Sequence, residues 1–505
     1  MSFNTLDFLL LFGLTFCLYY ILPQKLRNPL LLAASYVFYA AYNLGLTLYL
    51  LIITLFTFLI AIQISKNKQC GKEKAAKYWT IAGVAADLGV LAFYKYFNFA
   101  AEILAGILNV EAVRSTRLVP FGISFITFST ISYLVDIYRA KYAAEKNLLK
   151  YALYVSFFPK IGQGPIQRAD EILPQFDQKH TFDILRYREG MIQMLYGLFM
   201  KMVVADTAAI VVDTIYGNLG AYSGAAILLA TVLFAIQLYC DFAGYSYTAI
   251  GAAKVLGFNM KQNFRQPYLS HSVGEFWRRW HISLNTWLRD YIYIPLGGSR
   301  CSKARKNLNV LTTFTFSGLW HGADWGYIVW GFLNGFYVIV ESTIQDYFSK
   351  IRIAKIRSVD KAQPSPVILF VKKLGSQFIT FLLVLFSWIF FRARKLSVAF
   401  TVISRIFTKF NLMGFLEYAY EKLAAGAGTT LYGLDVVYQI PMLIVAVLIV
   451  IVVDLLTSRR SCAQSLANGS RFLRWIVCYA LIFAILLFGV YGYGYSAGAF
   501  IYSAF

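Results

Sequence analysis

The sequence has few charged residues, few histidines and few cysteines. Only 14% of its 505 residues are Asp, Glu, Lys or Arg, and four are His, whereas soluble proteins average about 25% charged residues. The six cysteines are scattered and form no CxxC pair, so they indicate neither a disulfide framework nor a zinc site. The sequence also lacks HExxH, GxSxG and P-loop motifs, and a GxGxxG motif followed by a strand and an acidic partner. It therefore supports no bound metal and no bound cofactor.

Apolar residues dominate instead. They make up 59% of the chain, the mean hydropathy is +0.59, and several runs approach the ~20 residues that a helix needs to cross a bilayer. We therefore predict an all-α polytopic membrane protein of about 10 to 12 transmembrane helices, forming one domain over residues 1–505. The first run lacks a basic n-region and a small-residue cleavage site, so we expect a retained helix rather than a signal peptide. The runs fall at about 6–22, 29–41, 46–64, 79–97, 118–137, 190–212, 223–240, 307–320, 325–342, 376–391, 438–456 and 475–492.

The charge that is present is strongly basic, with 47 Lys and Arg against 25 Asp and Glu, a net charge of +22. No nucleic-acid-binding module accompanies it, so we predict the lipid bilayer and not nucleic acid as the partner. Basic residues concentrate in the cytoplasmic loops of membrane proteins. That rule places the N-terminus outside, and the last span, 475–492, then delivers the C-terminus to the same side. One basic cluster, FRARK at 391–395, contradicts the rule. The basic loops are 24–28, 65–77, 139–150, 299–307, 349–361 and 458–474.

The stretch FWRRWHISLNTWLRD, residues 276–290, combines tryptophan, arginine and histidine. The spacing of its apolar residues predicts one amphipathic helix that ends near Pro295, too short to span. Taken alone, the stretch favours an interfacial helix with tryptophans at the headgroups and arginines reaching phosphates. An anchor needs no imidazole, however, and His281 lies on the aromatic face. Asp290 beside Arg289 further indicates an internal ion pair.

The runs 307–320 and 325–342 predict a hairpin with WHGADWG at its tip. A rise of 1.5 Å per residue places His321 roughly 21 Å from the cytoplasmic base, inside the membrane. Ionisable groups at that depth tend to be functional, and imidazole is the usual general base near neutral pH. The alternative is a histidine satisfied by a neighbouring helix. We expect Trp320 and Trp325 to line a tunnel, and glycines 318, 322 and 326 to allow close approach of backbone or substrate.

Other apolar segments also contain polar residues. LYCDFAGYSYTAIG (238–251) holds Asp241 and Tyr245, and the segment 119–139 ends with an Asp and an Arg. Residues 156–176 are interrupted by glycine and proline, which predicts a re-entrant segment that lines a cavity. Lys160, Gln163 and Gln167 of that segment would then face water. Each feature taken alone also fits a structural role, but together they predict a polar cavity.

Several stretches resemble the membrane-bound O-acyltransferase family, in the bacterial polysaccharide-acetylating branch typified by alginate O-acetyltransferase. They are CDFAGYSYTAIGAAKVLGF (240–258), NFRQPYLSHSVGEFWRRWHISLNTWLRDYIYIPLGGSR (263–300) and SGLWHGADWGYIVWGFLNG (317–335), with further matches at 119–139, 154–176 and 387–400. The WHxSLxxWxRDYxYIPLGG and GLWHG blocks are specific to the family, and the similarity runs over most of the chain.

The resemblance implies a ring of helices around a thin centre, with re-entrant or interfacial helices, a central tunnel and a catalytic core at about 115–345. The catalytic histidine of the family falls on His321, and its second histidine on His281. Members of this branch are thought to take acetyl groups from acetyl-CoA in the cytoplasm and to pass them to an SGNH-hydrolase-like partner outside. The expected substrate-contacting or tunnel-lining residues are Trp320, Trp325, Asp324, Asp241, Tyr245, Trp280, Asn285, Arg289, Asp290 and Gln163.

Related proteins end in a motif close to FxYxxF, and this chain ends in FIYSAF. By that resemblance Tyr502 would carry the acyl group as an ester. Ser503 and Ala504 replace the commoner Phe and Gln, and the alternative is a tail that packs in the tunnel mouth.

The sequence thus implies a multi-pass enzyme of the bacterial cytoplasmic membrane that works with polysaccharide-synthesis machinery to acetylate an extracellular or cell-wall polymer. Two alternatives stay open. A D-alanyl transferase of the teichoic-acid type belongs to the same family, and a proton-coupled transporter would also use broken helices with buried Asp and His.

Overall fold

The computed structural model describes residues 1–116, 118–356, 365–457 and 461–491. The chain is helical almost throughout, which confirms the all-α class. Besides the α-helices, Thr430–Leu431 (β1) and Leu434–Asp435 (β2) form a short antiparallel hairpin, and Met200–Ala205 and Arg289–Tyr293 are π-helical turns. In chain order the α-helices are α1 Leu6–Ile21, α2 Gln24–Ala40, α3 Leu44–Gln69, α4 Glu73–Lys95, α5 Phe97–Leu108, α6 Ile123–Tyr138, α7 Leu148–Ser156, α8 Phe158–Ile161, α9 Ala169–Ile172, α10 Ile184–Phe199, α11 Asp206–Gly217, α12 Gly224–Val255, α13 Val273–Arg279, α14 Ile282–Leu288, α15 Lys303–His321, α16 Trp325–Ile356, α17 Pro366–Ala393, α18 Leu396–Thr408, α19 Leu412–Ala425, α20 Gln439–Thr457, α21 Cys462–Asn468 and α22 Arg471–Phe488.

Within the described ranges, seven helical stretches are long and apolar enough to cross a membrane, or nine if each of two bent helix pairs counts as one span. Two shorter apolar helices, α1 and α6, bring the total into the predicted range of 10 to 12 only if they cross as well. The bent pair α18–α19, with its 95° angle, is absent from the predicted spans. The multi-pass prediction is confirmed, while the side on which each terminus lies stays a prediction.

Several helices begin at residues whose side chains satisfy the first free backbone N–H groups. Asn43 accepts from the Leu46 N–H at 2.9 Å at the start of α3, and Ser272 accepts from the Glu275 N–H at 3.1 Å at the start of α13. Such caps stabilise a helix by about 1 kcal/mol. The helix boundaries are therefore encoded locally, next to apolar runs that supply the length.

The chain divides into two compact units, and the single domain over residues 1–505 stays a prediction. Among the described residues, unit 1 contains those within 1–203, 240–262 and 461–491, and unit 2 contains those within 204–239 and 263–457. In unit 1, α3 packs against α4 and α6, α2 packs against α7 and α8, and α10 packs against α21 and α22. The ring centroids of Phe8 and Phe38 lie 6.3 and 6.1 Å from that of Phe158, so aromatic packing joins α1, α2 and α8.

The predicted interruption of residues 156–176 is present in unit 1. Helix α7 ends at Ser156, the four-residue helix α8 follows, and the backbone from Gly162 to Arg168 is not helical although every residue there is buried. We call residues 157–168 the broken segment. Irregular backbone at membrane depth is tolerated where protein surrounds it, and the burial of this segment meets that condition.

In unit 2 the dominant feature is the hairpin of α15 and α16, whose helices pack along their length. Helix α17 packs against α16, and α13 packs against both. The predicted hairpin is therefore confirmed. The single amphipathic helix predicted over residues 276–290 is wrong, because the chain there forms α13 and α14 with a break at Trp280 and His281.

Candidate active site

The two histidines singled out in the sequence meet in unit 2. The ring centroids of His281 and His321 lie 6.5 Å apart with an angle of 56° between the ring planes. The side chains are almost wholly enclosed, since His281 is 1% and His321 2% exposed. Two imidazoles buried side by side can hold and exchange protons at one reacting group, which a structural role would not require.

Close helix packing fixes the place of His321. It is the last residue of α15, and a Cβ on Gly318 would lie 2.1 Å from the Tyr327 carbonyl oxygen of α16. On the facing helix, a Cβ on Gly331 would lie 2.3 Å from the Phe314 carbonyl oxygen. Only glycine allows the two backbones to approach this closely. Gly318 thus allows the close approach of a second backbone, as predicted. This close packing of α15 against α16 holds the hairpin tip rigid.

Aromatic rings surround His321. Its centroid lies 4.9 Å from that of Trp320, 5.0 Å from Trp330 and 5.4 Å from Phe391, with the Trp330 ring nearly perpendicular to the imidazole. We call Trp320, Trp330 and Phe391 the aromatic enclosure. Behind it, Trp388 stacks on Trp330 at 5.6 Å. Such packing excludes bulk water from the imidazole, which strengthens electrostatic interactions there.

Trp320 was predicted from the sequence as a site residue, whereas Trp330, Trp388 and Phe391 were not. A signal existed, because Trp388 and Phe391 are three residues apart on α17 and so share a face of the helix. Aromatic residues make up 17% of this chain, however. No single aromatic residue stands out against that background.

His281 lies at the break between α13 and α14, in a left-handed conformation with φ 43° and ψ 55°. Such a conformation costs a non-glycine residue about 1–2 kcal/mol. The Asn285 amide donates to the carbonyl oxygens of Trp277 at 2.7 Å and of Trp280 at 2.6 Å, which the break deprives of helical partners. Asn285 was predicted to contact substrate, but these bonds give it a structural part in the break.

A second asparagine holds the other side of the break. The Asn263 carbonyl oxygen accepts from the Ile282 N–H at 2.9 Å, and its side-chain oxygen accepts from the Ser283 hydroxyl at 2.9 Å and from the Ser283 N–H at 3.2 Å. Asn263 was missed because it lies far along the chain from His281. The two asparagines together stabilise the backbone that orients the His281 ring.

Three predicted site residues lie in unit 1. The Asp241 carboxylate is 2.6 Å from the Lys201 ammonium, and both residues are buried. The ring of Tyr245 stacks on Phe3 at 4.4 Å, and Gln163 is buried in the broken segment. Lys201 was not predicted, although an Asp inside an apolar helix calls for a cationic partner. The polar cavity expected from these residues stays a prediction.

The remaining predicted residues divide between the interior and the surface. Trp280 is buried against Phe276 and Trp388, with centroids at 5.4 and 5.2 Å. Trp325 is 52% exposed, so it does not fit the predicted wall of an enclosed tunnel. Asp324 lies in the half-buried turn between α15 and α16, where its carbonyl accepts from the Tyr327 N–H at 3.2 Å.

Arg289 and Asp290 form the predicted ion pair at 2.9 Å, but the arginine side chain is 61% exposed, so the pair is not internal. Tyr502 lies outside the described residues. In the described part of the chain no group of three His, Cys, Asp or Glu side chains is placed to hold a metal ion.

The sequence matches the model of the membrane-bound O-acyltransferase (MBOAT) family over residues 31–371. It is 38% identical over 414 residues to the "Probable alginate O-acetylase AlgI" of Pseudomonas aeruginosa, covering 81% of this chain and 75% of that protein. It is 30% identical over 434 residues to the peptidoglycan O-acetyltransferase of Helicobacter pylori, covering 79% of each chain. Similarity to the teichoic acid D-alanyltransferase of Bacillus subtilis is 27% over 248 residues, covering 45% of this chain and 59% of that protein.

Proposed function

The chain belongs to the membrane-bound O-acyltransferase family, and on that premise we propose that it passes an acetyl group from cytoplasmic acetyl-CoA across the membrane for O-acetylation of a polysaccharide. The family membership makes the chain an O-acyltransferase, which decides against the transporter alternative. The observation that carries the proposal is the pair of buried imidazoles of His281 and His321 beside the aromatic enclosure.

In the proposed reaction His321 acts as general base. Its imidazole takes the proton of an acceptor hydroxyl while the hydroxyl oxygen attacks the thioester carbonyl carbon. The carbon–sulfur bond then breaks, and the imidazolium returns the proton to the leaving sulfur, so that the products are an acetyl ester and free thiol. A positioned base of this kind contributes about 10²–10⁴-fold to the rate. His281 would hydrogen-bond one of the reacting groups and orient it.

Burial of the base supports transfer to a hydroxyl over hydrolysis. Because His321 is 2% exposed, a substrate can reach it only through a narrow passage. Water that competes for the thioester is excluded by the same packing. The tunnel implied by the family resemblance is the passage we propose, with the donor entering from the cytoplasm and the acceptor from outside.

The donor's phosphates would be attracted by the basic stretch 299–306, which lies just before and in the first turn of α15. Its Lys303 pairs with Asp346 at 3.2 Å on an exposed surface, and Arg300, Arg305 and Lys306 add positive charge. Arginine and lysine are the side chains that bind phosphate oxygens through charge-assisted hydrogen bonds. The stretch therefore suits a phosphate group of coenzyme A.

On the acceptor side we propose that the Tyr502 hydroxyl takes the acetyl group and hands it to an SGNH-hydrolase-like partner in the bacterial envelope, which works beside the polysaccharide-synthesis machinery. The acetyl assignment rests on relatives that match more of the chain at higher identity than the D-alanyltransferase does. A D-alanyl thioester on a carrier protein is the competing donor.

The test is label transfer with purified protein in lipid nanodiscs, given acetyl-CoA labelled in the acetyl group, the partner and a polysaccharide acceptor. His321→Ala should lower transfer by about 10²–10⁴-fold, and Tyr502→Phe should stop accumulation of label on the chain. His271→Ala is the matched control, since His271 is a half-buried histidine of unit 2 whose ring contacts the Lys373 carbonyl. Wild-type transfer by His321→Ala would refute the general-base role. Transfer from D-alanyl carrier but not from acetyl-CoA would refute the acetyl assignment.

A further inference from the structure

The broken segment of unit 1 is built around close contacts that admit no side chain. A Cβ on Gly162 would lie 2.3 Å from the Tyr245 hydroxyl oxygen, and one on Gly122, whose φ is +69°, would lie 2.0 Å from the Ile161 carbonyl oxygen. A Cβ on Gly164 would lie 2.5 Å from the Pro159 carbonyl oxygen. These contacts fix the backbone of the segment, so its polar side chains are held in place by rigid surroundings.

Three polar side chains of this segment each have a buried atom without a hydrogen-bond partner among the described residues. These atoms are the Lys160 ammonium nitrogen, the Gln163 side-chain oxygen and the Gln167 side-chain nitrogen. Lys160 is 4% exposed, and its nitrogen lies 3.9 Å from the ring centroid of Tyr154. Across the described ranges no carboxylate pairs with it.

Another buried lysine of the same unit shows how a buried ammonium is usually compensated by a carboxylate. The Lys201 ammonium has the Asp241 carboxylate at 2.6 Å. A buried charge is costly unless it is paired and hydrogen-bonded, and a ring face compensates only in part. Other buried polar atoms of the described residues also have no hydrogen-bond partner, but here three fall within eight residues. Because such atoms in proteins normally pair with protein, water or a ligand, the cluster suits a polar group from outside the chain.

We propose that Lys160, flanked by Gln163 and Gln167, binds an anionic oxygen group of a substrate. The ammonium would neutralise the anion, the Gln167 amide would donate a second hydrogen bond, and the Gln163 oxygen would accept from a neighbouring hydroxyl or amide of the same ligand. This inference rests on the proposed function for its candidate ligands. The anion comes either from the diphosphate of the donor coenzyme or from the carboxylates of a uronate polymer.

Binding of defined probes distinguishes these sources without any turnover. Equilibrium binding to the purified full chain would be measured with coenzyme A and with a trisaccharide of uronic acid. Pantetheine and a neutral trisaccharide serve as their uncharged counterparts. Lys160→Met keeps the length of the side chain and removes its charge, Lys160→Gln removes the charge but keeps hydrogen bonding, and Lys160→Arg keeps the charge. Lys254→Met is the matched control, because Lys254 is a half-buried lysine of unit 1 paired with Glu189 at 2.7 Å.

We expect Lys160→Met and Lys160→Gln to weaken binding of one charged probe by about 10- to 100-fold, the usual value of a hydrogen bond to a charged group. Lys160→Arg should retain most of the binding, and Lys254→Met all of it. Loss with coenzyme A alone assigns the anion to the donor, and loss with the uronate alone assigns it to the acceptor.

Unchanged binding of both charged probes in the two neutral variants would overturn the proposal, as would an equal loss for charged and uncharged probes. Because no acyl transfer is involved, the result stands apart from the label-transfer test. A protein that transfers acetyl groups while its Lys160 variants bind normally keeps the proposed function and loses this site.

Discussion

Replacing Asn285 by leucine should disable the enzyme by moving His281, although residue 285 itself does no chemistry. The substitution preserves side-chain volume and removes the amide that donates to the carbonyl oxygens of Trp277 and Trp280. Each buried carbonyl left without a partner costs about 1–3 kcal/mol, or about 2–6 kcal/mol for the two. Straightening the helix would recover such bonds and release the ~1–2 kcal/mol of strain at His281. The break thus loses its advantage over a continuous helix.

A continuous helix would turn the His281 ring away from His321. Since 1.36 kcal/mol corresponds to a factor of ten in rate, we expect acetyl transfer by Asn285→Leu to fall at least tenfold, mainly in kcat, with a lower temperature of thermal unfolding in nanodiscs. Thr286→Val is the matched control on the same helix. Its lost hydroxyl bond goes to the Ile282 carbonyl within α14 and does not bridge the break. Wild-type kcat in Asn285→Leu would show that the break does not position His281.

Two further predictions concern packing and charge. Gly318→Ala should prevent stable folding, because its Cβ would meet the Tyr327 carbonyl oxygen at 2.1 Å. The control Gly375→Ala lies on α17 with open space around it and should be neutral or stabilising. Equal yields of the two folded variants on gel filtration would contradict this prediction. Burial opposes ionisation of the Glu145 carboxyl, but hydrogen bonds from Lys150 and from backbone N–H groups outweigh it and lower the pKa of Glu145. A lowered pKa stabilises the fold above the unfolded-state value of about 4.3 and loses that effect as the pH falls through the folded-state value. The thermal unfolding temperatures of wild type and Glu145→Gln should therefore differ at pH 7 and converge as the pH falls through the lowered folded-state pKa of Glu145. A constant difference would contradict the linkage.

The sequence predicted best those features that depend on composition over many residues. Apolar runs located some long helices within a few residues, as with 438–456 against α20 and 475–492 against α22. Helices α12 and α16, by contrast, extend 15 and 14 residues beyond the predicted runs 223–240 and 325–342. The hairpin tip at His321 was also predictable, because the polar WHGADWG separates two apolar runs. In each case the signal is averaged over one or more helical turns, so a single exceptional residue does not hide it.

Features set by single long-range contacts were not predictable. The periodicity of residues 276–290 is that of one helix, and the break at His281 depends in part on Asn263, whose contribution depends on the fold. The same holds for Lys201, since the apolar run 190–212 gives no reason to expect its ammonium beside Asp241. The bend between α18 and α19 was missed because neither helix alone is long enough to be recognised as a span.

The discontinuous make-up of unit 1 has a consequence for how the protein is made. Helix α10 emerges from the ribosome well before α21 and α22, the helices against which it packs, and unit 2 is synthesised almost entirely in between. The face of α10 that packs against α21 and α22 therefore lacks these partners while residues 200–461 are being synthesised. A nascent chain stalled or truncated within α20 would therefore leave that face without the α21 and α22 partners that it has in the folded protein.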